Sequence, residues 1–100
     1  TSRIGNLYER QNALIGIAMT QQQSGRRGEA LDTFREALQV AQEIEVPLGV
    51  ARSLEGIAQT VETTGGADPA KGYAERALAV YEMLGVLDDV ARVQRWLAER

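Results

Sequence analysis

Apolar residues along the chain recur at steps of three and four, the spacing of one face of an α-helix. In one stretch they are Ala30, Phe34, Ala37, Leu38, Ala41 and Ile44. Forty residues further on they are Ala70, Ala74, Ala77, Leu78, Tyr81 and Leu84. A shorter stripe precedes each of these, at Leu14, Ile17 and Ala18 and at Leu54, Ile57, Ala58 and Val61. No stretch of the sequence alternates as a β-strand would. The pattern predicts an all-α protein with these stripes in its core.

Residues that favour helix ends separate the stripes. Glycine can take the left-handed conformation at a helix C-terminus, and the predicted ends are Ser24-Gly25 and Thr64-Gly65-Gly66. Aspartate is a favoured N-cap and proline is accepted in the first turn. The predicted starts are Asp68-Pro69 and either Asp88 or Asp89, and Pro47 separates two stripes. These signals predict five helices, at about 7–24, 28–45, 48–64, 68–85 and 88–99.

The pattern repeats after 40 residues without a gap. Matching pairs are Leu14 and Leu54, Gly16 and Gly56, Ile17 and Ile57, Ala18 and Ala58, Ala30 and Ala70, and Val40 and Val80. Repeats of roughly 20 to 50 residues are typical of stacked arrays, in which one helix pair cannot bury its apolar stripe without a neighbour. We predict a single domain, an α-solenoid of antiparallel helix pairs. Unit one spans about 7–46, unit two about 47–86, and a C-terminal capping helix about 88–99.

The repeat resembles the tetratricopeptide repeat, whose signature is W-x2-L-G-x2-Y in the first helix and A-x3-F in the second. Matching positions are Leu14, Ile17, Ala18, Gly25, Ala30, Phe34 and Ala37 in unit one, and Leu54, Ile57, Ala58, Gly65, Ala70 and Ala77 in unit two. Gln21 replaces the Tyr, Ala74 replaces the second Phe, and Gln42 and Glu82 replace the closing Pro. The long period resembles the variant seen in kinesin light chains and in bacterial signalling and transcription regulators. The resemblance implies a protein-binding helical repeat.

Composition excludes several functions. The chain contains no cysteine and no histidine, so disulfides, thiol or imidazole catalysis and the usual zinc sites are ruled out. A net charge of -3 argues against nucleic-acid or anionic-membrane binding, and no apolar run is long enough to span a bilayer. The acid pairs Glu43/Glu45 and Asp88/Asp89 are interpreted as solvated charges or caps, and no phosphate-binding loop is present. We predict no catalytic residue, no cofactor and no metal.

The first helix of each unit lines the concave face in the family that this chain resembles. By that resemblance, the face would present a mixed polar and apolar surface suited to an extended peptide or a partner helix. The residues expected there are Asn12, Ile15, Met19, Gln22, Gln23, Arg52, Glu55, Gln59, Glu62, Arg92 and Arg95. The competing interpretation is that each is an ordinary solvated position.

The family's chaperone-binding members hold a C-terminal carboxylate with Lys, Asn and Arg at set positions. Here Ile15, Met19 and Gly56 replace the Lys and Asn residues. Arg92 keeps one basic contact, but Trp96 replaces the second. We therefore do not predict binding to chaperone tails.

Three residues share one position of the repeat, namely Gly16, Gly56 and Trp96. Glycine inside a helix costs about 1 kcal/mol relative to alanine, so we expect close helix packing at both glycines. Trp96 is expected to pack near the opening at Gly56, as a core or capping residue. The alternative role for Trp96 is contact with a ligand.

The first helix carries apolar residues where unit two is polar. Ile15 and Met19 correspond to Glu55 and Gln59, and Ile4 and Leu7 lie nearby. This helix is expected to meet a preceding repeat, a partner or a second copy of the chain. The chain begins with Thr rather than Met, which suggests a piece of a longer protein, whereas the polar surface of the last helix suggests a natural end near Arg100.

The sequence predicts a non-catalytic protein- or peptide-binding module, one part of a larger cytoplasmic bacterial signalling or transcription regulator. Lys71 is the sole lysine among eleven basic residues, a bias that is common in GC-rich bacterial genomes. One alternative is homotypic assembly, a homodimer formed through the N-terminal helix. A second is a sensor that binds a small signalling peptide in the groove. The partner's identity stays open.

Overall fold

The computed structural model describes residues 3–64 and 67–100, apart from the side chains of Ile4, Thr64 and Ala67. The described residues form five helices and contain no strand. These are α1 (Arg3–Gln23), α2 (Arg27–Glu43), α3 (Pro47–Thr64), α4 (Ala67–Leu84) and α5 (Leu87–Ala98). The all-α prediction is confirmed. α1 starts at Arg3 rather than near residue 7, and the helix includes Gly5.

Three of the helices end in the same kind of turn. The backbone N–H groups of Arg26, Val46 and Val86 each donate to the carbonyl five residues earlier, at 2.9, 2.9 and 3.3 Å. The residue before each donor has a positive φ, namely Gly25 (80°), Glu45 (57°) and Gly85 (71°). This left-handed turn satisfies carbonyls at the helix end. The prediction for Gly25 is confirmed, whereas the predicted end at Gly65-Gly66 lies outside the described residues.

Two predicted N-caps are wrong. α4 already begins at Ala67, so that Asp68 lies in its first turn rather than at the N-cap. α5 begins at Leu87, its N-cap is Val86, and Asp88 and Asp89 both lie in its first turn. Acidic side chains there still interact favourably with the positive end of the helix dipole.

Each helix packs mainly against the next one along the chain, with a smaller contact between α1 and α3. Short turns make consecutive helices run in opposite directions, and the result is an elongated body of 44 × 31 × 18 Å. The core contains two clusters. The first joins unit one to unit two and consists of Ala18, Ala30, Phe34, Ile57, Val61 and Ala70. The second joins unit two to α5 and consists of Ala51, Leu54, Ala58, Ala74, Ala77, Tyr81 and Val93.

Two residues of the predicted stripes are exposed. Ile17 is 50% exposed although its repeat partner Ile57 is 1% exposed, and Leu84 is 40% exposed. A stripe residue is covered only where another helix lies over it. Ile57 lies between neighbouring helices, whereas the corresponding face of α1 meets none in this structure.

The two repeat-related glycines also differ in their surroundings. A Cβ on Gly56 would lie 2.3 Å from Cε1 of Phe34, so the helices there approach closely, as predicted. A Cβ on Gly16 would meet no described atom within 4 Å outside its own helix backbone, which contradicts the prediction. Phe34 fills the space at Gly56, and Trp96 packs against the core cluster that contains Phe34 and Ile57. Trp96 is half-buried beside both core clusters, with the Arg100 guanidinium 3.8 Å from its ring centre.

Candidate binding groove

The first helix of each unit and the last helix, α1, α3 and α5, share one groove of about 510 Å³. Seven of the eleven residues predicted for the concave face line it: Ile15, Met19, Gln22, Arg52, Glu55, Gln59 and Arg92. Phe34, Gly56 and Asp89 complete the lining. The helical spacing brings these residues together because steps of three and four return to the same side of a helix.

One part of the groove is apolar. Ile15 is 9% exposed, whereas Met19, one turn later, is 48% exposed. Gly56 lies opposite them, and because it has no side chain, the Phe34 ring fills the space beside it. A flexible, polarisable methionine at the surface of such a depression can adapt to different apolar groups.

A charged network holds the other part in place. Arg92 donates from Nε and Nη2 to the two carboxylate oxygens of Glu55, each at 2.8 Å, and the same Nη2 lies 2.6 Å from Oδ1 of Asp89. The buried Tyr81 hydroxyl donates to Glu55 at 2.8 Å. The hydrogen bonds to Glu55 raise the pKa of Arg92 further above its usual value. Burial raises the pKa of Tyr81 above its usual 10.0, and the bond to Glu55 adds to this rise. Arg92 is therefore a structural cation that is already neutralised.

Arg52 is different, since it forms no ion pair or hydrogen bond within the part of the chain that the structure describes. It is exposed on α3, one turn before Glu55. Beside it, amide groups line the groove, with Gln22 donating to Gln59 at 3.2 Å across the α1–α3 contact. Arg52 thus provides an unneutralised positive charge, and the glutamines provide donors and acceptors that could exchange their partners for those of a ligand.

The four other predicted residues lie outside the groove lining. Glu62 is 2.6 Å from Arg100, which ties the end of α5 to α3. Asn12 accepts a hydrogen bond from Gln11 at 2.7 Å. Gln23 and Arg95 are exposed near the ends of α1 and α5. Their assignment as partner-binding residues therefore has no support from the groove geometry.

The sequence-based prediction missed three residues that shape the groove, namely Phe34, Tyr81 and Asp89. Asp89 stands three residues before Arg92 on the same helix, a spacing that favours an ion pair and could have indicated the contact. Phe34 and Tyr81 were assigned to the core, where both are indeed buried. Contact between Tyr81 and Glu55 depends on how α4 packs against α3, and local spacing contains no signal for it.

The homodimer alternative was based on Ile15 and Met19, the apolar residues of the N-terminal helix. Both residues face the groove, and Ile15 is largely buried there. Met19 is 48% exposed, and the homodimer stays a prediction. A glutamate at Ile15 would disturb packing as well as any interface.

Within residues 3–64 and 67–100, no three or more acidic side chains converge in a way that could hold a metal ion. In the same ranges, none of the helices combines the length and the hydropathy needed to span a membrane. The acid pair Glu43/Glu45 is exposed at the turn after α2. Asp89 is committed to Arg92.

Stacked antiparallel helix pairs with a shared groove define the class of helical-repeat proteins. The family model described as Tetratricopeptide repeat matches residues 5–83, which is most of the chain. The chain belongs to the tetratricopeptide repeat family, and the fold and the predicted family resemblance agree with this. No curated protein and no solved structure matches the chain significantly. Repeats of this family serve as protein–protein interaction modules.

Proposed function

We propose that this chain is a non-catalytic module that binds a peptide segment in the groove between α1, α3 and α5. The observation that supports this most is the unpaired Arg52 beside the apolar depression of Met19 and Ile15. The volume of about 510 Å³ lies in the range of ligand-binding clefts. A groove of this size suits a few residues of an extended peptide or one face of a helix.

The groove chemistry favours a particular ligand. A carboxylate would pair with Arg52, and a neighbouring large apolar side chain would contact Met19. The amide groups of Gln22 and Gln59 can bond to peptide backbone. Glu55 cannot attract a basic ligand strongly, because Arg92 and Tyr81 already occupy both of its oxygens. We therefore expect a segment with an acidic residue next to an apolar one.

As for its setting, the proposal is that the module belongs to a larger bacterial signalling or transcription-regulatory protein that acts in the cytoplasm. Support comes from the long 40-residue period and from the arginine-rich composition. A small signalling peptide, captured in the groove, is one ligand that fits both the volume and the regulatory role.

Selection from a phage-displayed library of random peptides tests the groove directly. The enriched peptides should share an acidic residue adjacent to an apolar one. The Arg52→Glu variant should bind the enriched peptides at least about tenfold more weakly than the wild type. A hydrogen bond to a charged group contributes about 1.5–3 kcal/mol, and about 1.4 kcal/mol is a factor of ten in affinity. Met19→Glu should weaken binding as well.

Arg35→Glu is the matched control, because Arg35 is an exposed arginine on α2 that does not line the groove. It changes net charge by the same amount as Arg52→Glu and should leave affinity unchanged. Selected peptides that bind wild type and Arg52→Glu equally would contradict the groove proposal. Loss of binding in both arginine variants would show that only overall charge matters.

A further inference from the structure

A second apolar surface lies at the end of the molecule where α2 and α4 end and α3 and α5 begin. We define a turn patch at this end by seven apolar residues: Val46, Pro47, Val50, Val80, Met83, Leu84 and Leu87. The first five line a depression of about 280 Å³ between the start of α3 and the end of α4, together with Gln42 and Glu45. The last two flank the adjacent turn between α4 and α5.

Large side chains of the turn patch are strongly exposed. Met83 is 70% exposed, Leu84 is 40% exposed and Leu87 is 76% exposed. Half of the six large apolar side chains that are exposed in the described part of the chain therefore fall within residues 83–87. Scattered exposed apolar residues need no explanation, whereas a contiguous group of them indicates a surface that binds something.

The absence of a neighbouring repeat does not explain this exposure. The positions equivalent to Met83 and Leu87 in the preceding unit are Glu43 and Pro47. Both of these are exposed, although α2 packs between α1 and α3, and α3 packs between α2 and α4. The two positions thus stay open where helices are stacked on both sides. The turn patch is therefore distinct from the surfaces that stacking covers.

The charge at this end of the molecule is one-sided. Two stretches that lie toward this end, residues 36–51 and 77–91, contain six acidic residues and no basic one. Arginines elsewhere in the chain pair with three of the six: Glu36, Glu43 and Asp89. The other three are exposed and form no ion pair within residues 3–64 and 67–100: Glu45, Glu82 and Asp88. Each of these three is the sequence neighbour of a turn-patch residue.

This charge selects among the possible occupants of the patch. In a two-fold dimer that joined two turn patches, the same unpaired carboxylates would approach one another, and like charges across an interface are costly. An anionic membrane surface and an acidic peptide would be repelled for the same reason. A segment with lysine or arginine around an apolar residue complements both the charge and the exposed apolar surface.

We infer that the turn patch binds a basic amphipathic segment of a partner protein, which inserts one large apolar side chain into the depression beside Met83. The volume of about 280 Å³ lies just below the roughly 300–1,000 Å³ of small-molecule clefts, and so suits a single anchoring side chain. A flexible methionine at its edge adapts to the shape of that side chain. The ligand has the opposite charge to the one proposed for the groove, and neither proposal depends on the other.

The two methionines of the chain provide a separate reporter for each site, since Met19 lines the groove and Met83 lines the depression. Protein labelled with ¹³C in the methionine methyl groups gives one NMR signal for each, assigned with Met→Leu variants. The probe is a peptide of about 14 residues with leucines at steps of three and four and lysines elsewhere. It should shift the Met83 signal until saturation and leave the Met19 signal in place. The same peptide with glutamate instead of lysine should leave Met83 in place.

Variants test the apolar and the charged part of the patch separately, with affinity for the labelled lysine peptide measured by fluorescence anisotropy. Met83→Ser should weaken binding at least about tenfold, because burial of a methionine side chain contributes at least that factor. Ile17→Ser is its control, since Ile17 is also exposed but lies in neither site. Asp88→Asn should weaken binding about two- to fivefold, the range of a surface ion pair.

Asp68→Asn is the matched control for charge. Asp68 and Asp88 are both exposed in the first turn of a helix, but Asp68 lies at the start of α4, a helix length away from the patch. Its replacement should leave affinity unchanged, and equal losses in the two variants would show that only net charge matters.

Three NMR outcomes would overturn the inference. The lysine peptide fails to move the Met83 signal, the glutamate peptide moves it equally, or the lysine peptide moves both methionine signals alike. A Met83 signal that shifts with protein concentration alone would assign the patch to a second copy instead.

Discussion

Alanine substitutions at the two repeat-related glycines should move the stability of this protein in opposite directions. Both glycines lie inside helices, where alanine is favoured over glycine by about 1 kcal/mol. Gly16→Ala places its methyl group in open space and should therefore raise the free energy of unfolding by about that amount. The effect requires no new contact, since it comes from the backbone.

Gly56→Ala receives the same helix-propensity gain but forces its methyl group against a ring. Three atoms along one edge of Phe34 would lie at 2.3, 2.4 and 2.6 Å from the new Cβ, so the whole buried ring must move. Overpacking of this kind costs about 1–3 kcal/mol. The net change is then a loss of up to about 2 kcal/mol, and the two variants should differ by about 1–3 kcal/mol.

Urea and thermal unfolding followed by circular dichroism measure this difference. A domain of this size changes its melting temperature by about 4–8 °C per kcal/mol, so the gap should be easily resolved. In a Phe34→Ala background, Gly56→Ala should become stabilising, because the ring that it meets is gone. Equal stability changes for the two alanines, or no coupling between positions 34 and 56, would refute the packing argument.

Glu45→Gly should stabilise the protein by about 1 kcal/mol, because Glu45 has a φ of 57° that glycine accepts without strain. Glu43→Gly, at the last residue of α2, should instead destabilise it. Chemical denaturation compares the two variants. Ser53→Ala should raise the free energy of unfolding by about 1 kcal/mol, since the buried hydroxyl has no hydrogen-bond partner among the described residues. A clear loss of stability would show that the hydroxyl does have a partner. The free energy of unfolding should fall as pH rises above 10.0, because the pKa of Tyr81 is raised in the folded state and unfolding releases its proton. Denaturation at successive pH values measures this fall, and Tyr81→Phe should remove the part that Tyr81 causes.

Much of the fold was predictable because helical periodicity is a local property. Steps of three and four marked the helices, and the 40-residue self-similarity marked the stacked pairs. Helix ends were less predictable. Gly25 signalled one helix end. Glu45 adopts the same left-handed conformation, but a glutamate does not signal a helix end. The hydrogen bonds from Val46 and Val86 show that this turn depends on the helix before it.

The groove was only partly predictable for a related reason. Repeat position placed Met19, Arg52 and Gln59 on one concave surface, and these three do line it. The position in the repeat does not reveal that Arg52 is unpaired whereas Arg92 is neutralised. Arg52 and Arg92 are equivalent in the sequence pattern, but among the described contacts only Arg92 pairs with Glu55, which is 37 residues away along the chain.

The sequence by itself determined the helices, their even spacing and the residues at equivalent positions of the two units. Only the tertiary structure decided that Ile57 is buried while Ile17 is not, and that Gly56 holds an aromatic ring while Gly16 is open. The reason is physical: helix formation depends on residues three and four positions apart, whereas burial depends on which helix lies alongside. Identical residues in a repeat therefore have different roles at its middle and at its first helix.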